Sequence, residues 1–339
     1  MPCARTDKEC AYQKAISHKV RTLEFWRAVR AKPLVERIGA APPELIEYLT
    51  LDVIKLGIPA RPRAPALTPD FMADVRAALN GIPANIRNLL DRRLAGIWFI
   101  EDIGGSGFAD IIRWGPAEGV GFIVLDPRQL QDRRANEWAS WKENTPFRDD
   151  PRWRIEAVIA GPEGKGTGIG RGRDQENSRV NAIQYILLHE LGHALATQGG
   201  IHSRWDRPNG QELKSGAYPF HDLSWTWDEK LGHVSLFDAA FPERRKVRYY
   251  FGANLEGRRM IDAYRWIEST NFPTLYAATN PGDDFAESFV TYVHTVLMKR
   301  PWEVRVTEEG EIRFKLKSCW DQPRCAQKRK LLEDILGTR

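Results

Sequence analysis

Three residues of one segment have the types and spacing for hydrolytic chemistry. His189, Glu190 and His193 form an H-E-x-x-H pattern inside an apolar stretch that runs from Ser178 to Ala196. Four residues are slightly more than one helical turn, so both imidazoles leave the same helix face. Two nitrogens held at that separation can bind one Zn²⁺, and a third protein ligand would complete the set. Glu190 lies on an adjacent edge, within reach of a water activated by the metal, and can take its proton. A chance copy of so short a motif would seldom fall in mid-helix among apolar residues, where two histidines weaken the helix without a partner.

These residues need a helix to hold them. Ser178 or Asn181 caps its start, Gly199 and Gly200 end it, and Val180, Ile183, Leu187, Leu191 and Ala194 bury one side. The Gly and His that extend this motif in some zinc enzymes are absent, since Ala196 and Gly199 occupy those places. A second apolar helix follows downstream. Tyr276 precedes Asn280, Asp283, Asp284 and Glu287, and the helix continues through Val290, Val293 and Leu297. Asn280 or Asp283 is a good cap, and acids suit a helix N-terminus.

An H-E-x-x-H helix followed by a distant acidic helix resembles the gluzincin group of zinc peptidases, and the anthrax lethal factor-like peptidases in particular. The resemblance covers roughly residues 95–300 and fixes no substrate. It implies that His189 and His193 are zinc ligands and Glu190 the general base. It places Asp283 on the third ligand, Glu287 on the acid that orients a metal-binding histidine, and Tyr276 on a tyrosine that stabilises the transition state. One departure is Asp283, where the family usually has Glu. Because Asp is a methylene shorter, Glu287 is the alternative ligand. Asp284 and His202, nine residues after His193, remain as further alternatives.

The implied function is zinc-dependent hydrolysis of a peptide or protein substrate. An exopeptidase would need a group for a substrate terminus, and none stands at a fixed offset from the motif. The reading from a different class is a zincin-shaped binding or toxin-like protein without turnover, against which the intact Glu190 counts. His221 and His233, in a Trp-rich stretch with Trp225 and Trp227, shape a cleft wall, and either could donate to a substrate carbonyl. His294 and the two tryptophans read as structural.

Around the motif, the chain reads as α+β, with a helical region over 1–94 and a zincin-like catalytic domain over 95–339. Helices are expected at Tyr12 to Arg30, Glu44 to Leu56, Pro69 to Ile82 and Ala84 to Leu94. The stretches from Gly96 to Glu101, Gly119 to Asp126 and Trp153 to Ala160 read as strands of a small sheet, with Gly104 to Gly107 as a loop or bulge. The rest reads as mostly helical. The glycine-rich stretch from Gly161 to Arg173 lacks a phosphate-loop ending and reads as a mobile hairpin tip bordering the cleft.

Composition narrows the classes. The 339 residues are 42% apolar and 28% charged, ordinary for a soluble fold. No run of roughly 18 apolar residues is present, so no membrane span is expected. The N-terminus shows no apolar signal-peptide core. A net charge of +5 with scattered basic residues argues against nucleic acid as a partner. The oligomeric state is unspecified. Four cysteines fall as two close pairs, Cys3 with Cys10 and Cys319 with Cys325. They fit disulfides, free thiols or a structural metal site, and the pairing can join near neighbours or the two termini. Paired cysteines favour a secreted or periplasmic setting.

Overall fold

The computed structural model describes residues 3–113, 115, 119–161, 177–197, 199–202 and 218–338. The glycine-rich stretch expected as a hairpin tip lies, after Gly161, outside the described residues.

The fold is α+β. In chain order it runs α1 (Lys8–Ile16), α2 (Leu23–Arg30), β1 (Ile38–Ala40), α3 (Pro43–Leu56), α4 (Pro69–Asn80), α5 (Ala84–Arg93), β2 (Leu94–Phe99), β3 (Gly107–Arg113) and β4 (Val120–Leu125). Then come α6 (Pro127–Leu130), α7 (Ala135–Asn144), β5 (Trp153–Val158), α8 (Arg179–Ala196), β6 (Trp225–Asp228) and β7 (Gly232–Ser235). The chain ends with α9 (Met260–Glu268), α10 (Pro281–Tyr292), β8 (Glu303–Glu308), β9 (Glu311–Lys317) and α11 (Ala326–Leu336).

The main sheet has the order β1-β2-β4-β3, with β3 antiparallel at one edge and the other pairings parallel. Its central strands are buried on both faces, and for that reason they are continuous apolar runs rather than alternating ones. Successive side chains still point to opposite faces. Ile97, Phe99, Ile123 and Leu125 join a core with α4 and α8, whereas Trp98, Ile100, Phe122 and Val124 join a core with Trp26, Tyr48 and Leu49. The helices of residues 1–94 therefore cover both faces of the sheet, and β1 pairs directly with β2.

Several expectations are corrected here. The single helix expected from Tyr12 to Arg30 is two. Thr22 adopts an extended backbone, and its side chain accepts a hydrogen bond from Phe25 N, so it caps a new helix rather than continuing the old one. The strand at Trp153 is not in the main sheet but pairs with β8 in a second sheet of order β5-β8-β9. The half following α8 is accordingly less helical than expected. The segment from Gly107 is a strand, whose local alternation is masked by glycines and by its position at the edge. Helix α8 is buried almost all round rather than on one side, because the sheet, α4, α7 and α10 enclose it.

Disulfides join Cys3 to Cys10 and Cys319 to Cys325, the near-neighbour pairing. Among the described residues, no helix is long and apolar enough to cross a membrane.

Candidate metal centre

Helix α8 starts at Ser178, whose hydroxyl accepts from Asn181 N. Three turns on, His189 and His193 converge with their Nε2 atoms 3.2 Å apart. Helix α10 crosses α8 closely because position 192 is glycine. A Cβ there would come within 2.7 Å of Ala286 Cα. Asn280 caps α10 and accepts from Asp283 N at 3.0 Å, so Asp283 sits in the first turn and is not the cap.

Asp283 Oδ1 lies 3.4 Å from His193 Nε2 and 3.9 Å from His189 Nε2. Its other oxygen accepts from Thr279 Oγ1 at 2.8 Å and Asn280 Nδ2 at 2.6 Å, which aims Oδ1 at the imidazoles. Together His189, His193 and Asp283 offer ligand atoms within 4.8 Å of one another, and this group could hold a metal ion. No other such group occurs among the described residues. Burial opposes ionisation of Asp283, but the two histidines and Thr279 hold its carboxyl below the usual range.

Glu287 stands one turn further along α10, with Oε1 2.9 Å from His189 Nδ1, on the far side of that ring from Nε2. Its Oε2 accepts from Thr274 Oγ1 at 2.7 Å, and Lys142 Nζ on α7 donates to Oε1 at 3.0 Å. Burial works against the charged carboxylate, yet Lys142, His189 and Thr274 bring its pKa down to about 2. Asp284 turns the other way. It is ion-paired with the buried Lys328 and accepts from Trp225 Nε1 at 2.9 Å, so its oxygens are engaged away from the histidines. His202 is buried near the cleft but is not part of the metal-binding group.

Glu190 is buried beside the start of β3, where a Cβ on residue 107 would meet its Oε1 at 2.4 Å. Any larger residue there would displace that carboxylate. Burial raises its pKa above the ordinary carboxylate range, and His189 and His193 work in the opposite direction. Tyr276 stacks on the His189 ring, with centroids 5.4 Å apart and planes 12° from parallel.

Two cavities meet at this cluster. One, of about 230 Å³, is lined by Leu49, Val53, Trp138 and Tyr250 with His189 and Glu190. The other, of about 510 Å³, is lined by Ala109, His193, His202, His233, Tyr276 and Asp283. Phe108 borders both, so edge strand β3 forms one wall of a continuous cleft. His233, on β7, also lines the larger cavity, and burial together with His221, whose Nε2 lies 3.3 Å from His233 Nδ1, lowers its pKa to about 4. Trp225 is core, but Trp227 is partly exposed on its hairpin, edge-to-face against His233 with centroids 5.0 Å apart. His294 is buried with its Nε2 at 2.8 Å from Ile159 O and 3.1 Å from Pro301 O, a structural position.

Lys142, Thr274, Gly107 and Tyr250 were not singled out from the sequence. Lys142 and Thr274 carry no local signal, because their partner Glu287 is distant in the chain. Tyr250 has φ +65°, an uncommon backbone for a bulky residue. In comparisons with known proteins, the chain matches no family model, no curated protein and no solved structure.

Proposed function

We propose that this protein is a zinc peptidase of zincin-like architecture that cleaves peptide bonds in the cleft between β3 and α8. The observation that carries the reading is the convergence of His189, His193 and Asp283 with Glu190 at the meeting point of the two cavities. Two imidazoles and one carboxylate are a donor set suited to Zn²⁺ with a position left open. His189 Nδ1 lies 2.9 Å from Glu287 Oε1, and a proton held on Nδ1 would leave the Nε2 lone pair for a metal. Bound there, zinc would act as a Lewis acid toward a carbonyl and lower the pKa of water.

The remaining work falls to the chain. Glu190 lies in the same cleft and serves as the base that takes a proton from the attacking water and passes it to the leaving amine. Burial raises the pKa of its carboxyl, which suits it to both halves of that transfer. Tyr276 lines both cavities, and its hydroxyl is the donor for the developing oxyanion. Among the described residues, strand β3 is the edge of the main sheet beside Glu190, where an extended peptide can add as a further strand. This favours a peptide substrate over a small molecule. The two disulfides support an oxidising compartment, extracellular or periplasmic.

The test combines metal analysis of the purified protein with digestion of a mixed peptide library. Stoichiometric zinc and internal cleavage are expected. Zinc without any cleavage would leave a binding protein, and trimming confined to peptide ends would make it an exopeptidase.

A further inference from the structure

A buried lysine stands behind the cluster, on a helix outside the two motifs. Lys142 is on α7, with its side chain only 4% exposed. Its ammonium is 3.0 Å from Glu287 Oε1 and 3.5 Å from Glu143 Oε1. Glu287 Oε1 is also the atom that lies 2.9 Å from His189 Nδ1. Both carboxylates are held from their other side as well. Thr274 donates to Glu287 Oε2 at 2.7 Å, while Tyr249 and Tyr264 donate to Glu143 Oε2 at 2.8 and 2.7 Å. The lysine thus sits in a fixed chain of contacts that runs from Tyr264 through Glu143, Lys142 and Glu287 to His189.

A lysine is an expensive residue to bury, and this one is paired with two buried carboxylates. What it does here is bind the single oxygen that faces the imidazole. Without it, two buried carboxylates would repel each other with no cation between them. The ammonium also lies 4.7 Å from the centre of the Tyr276 ring, and that ring stacks on His189. Lys142 therefore braces His189 by two routes, one through Glu287 and one through Tyr276.

We propose that Lys142 is a positioning residue of the metal centre: acting through Glu287 Oε1, it sets the ring orientation and tautomer of His189 and so aims Nε2 at the metal. The proposal rests on the reading of His189 as a ligand. It differs from a role as an ordinary core ion pair, which would affect only the stability of the fold. Lys328, also buried, provides the contrast, since its partner Asp284 is engaged away from the histidines.

The test uses the full chain with Lys142→Met and Lys142→Arg, and Lys328→Met as the stability control. Two quantities are read in folded protein: zinc affinity by competition with a chelator, and the ¹⁵N shifts of the His189 imidazole without metal. Lys142→Met should weaken zinc binding roughly 10–100-fold, as loss of an outer partner of a ligand does. It should also shift His189 away from a single Nδ1–H tautomer. Lys142→Arg keeps the charge and should recover much of both. Lys328→Met should lower thermal stability and leave both readings at their wild-type values. If Lys142→Met does not fold, Lys142→Gln replaces it, with a smaller loss in the same direction. Wild-type zinc affinity together with a wild-type His189 spectrum in Lys142→Met, or in Lys142→Gln where it stands in, overturns the proposal. If the wild-type protein itself binds no zinc, the functional reading fails. The metal-free His189 spectra then still decide the role of Lys142.

Discussion

His189 Nδ1 and Glu287 Oε1 stand 2.9 Å apart, while the other ring nitrogen of His189 faces His193 and Asp283. One imidazole thus joins two acids of the same helix, each to a different nitrogen. The two acids are one turn apart on α10, and this division separates the acid of the candidate metal-binding group from the acid at the other ring nitrogen.

Removal of either histidine should empty the site. Elemental analysis should find about one zinc per chain in the wild type and almost none in His189→Ala or His193→Ala, because two ligands rarely retain the ion. Full zinc in both variants would remove the site.

Glu190→Gln should retain zinc, since the side chain is not in the ligand group, and should lose hydrolysis by a factor on the order of 10² or more. Gly107→Ala should act in the same direction from the opposite side, because its Cβ would meet Glu190 Oε1 at 2.4 Å. Steady-state kinetics beside metal content checks both. Wild-type turnover in Glu190→Gln would exclude it as the base.

The acids of α10 should separate by effect. Asp283→Ala should weaken zinc far more than Glu287→Gln, which should still load the metal, with affinity lower by roughly 10–100-fold and part of the activity lost. Asp284→Ala should leave zinc affinity largely intact and lower the unfolding free energy by about 3–5 kcal/mol, since it strands the buried Lys328. Chelator competition and urea unfolding distinguish these outcomes. An empty Glu287→Gln site with a loaded Asp283→Ala site would reverse the assignment.

Gly192→Ala should force α8 and α10 apart, because the new Cβ would stand 2.7 Å from Ala286 Cα. Loss of stability of roughly 1–3 kcal/mol is expected from such overpacking, with weaker zinc binding, because the histidines and Asp283 are on opposite sides of that contact. Unchanged zinc affinity would show that the approach of the helices is not what assembles the ligands.

Acid should act through His294, whose pKa burial lowers to about 4. The folded state keeps this ring neutral while the unfolded chain takes a proton near the ordinary histidine value. Stability is therefore fully present above about pH 6.5 and is lost as pH falls toward 4. His294→Gln should flatten that part of the curve, with a difference on the order of 3 kcal/mol at most between neutral pH and pH 4. Denaturant titrations across this range measure it, and identical slopes would mean that another group carries the acid sensitivity.

The sequence by itself determined what is local. The i, i+4 spacing of His189 and His193 puts two imidazoles on one face of any helix. The caps and prolines mark α3, α4 and α5 within a residue or two, and unbroken apolar runs mark β2 and β4 as buried strands. The sequence left the pairing of the four cysteines open, and the structure joins near neighbours, six or seven residues apart.

Tertiary structure decided everything that depends on distance along the chain. Asp283 and Asp284 are adjacent in sequence and alike in chemistry, yet successive helical residues point about 100° apart. One meets His193 and the other meets Lys328. The selection of Glu190's neighbour Gly107, and of Lys142 behind His189, lies in contacts between elements dozens of residues apart. No periodicity records them, because a contact of that kind is set by how helices and strands pack and not by the local backbone.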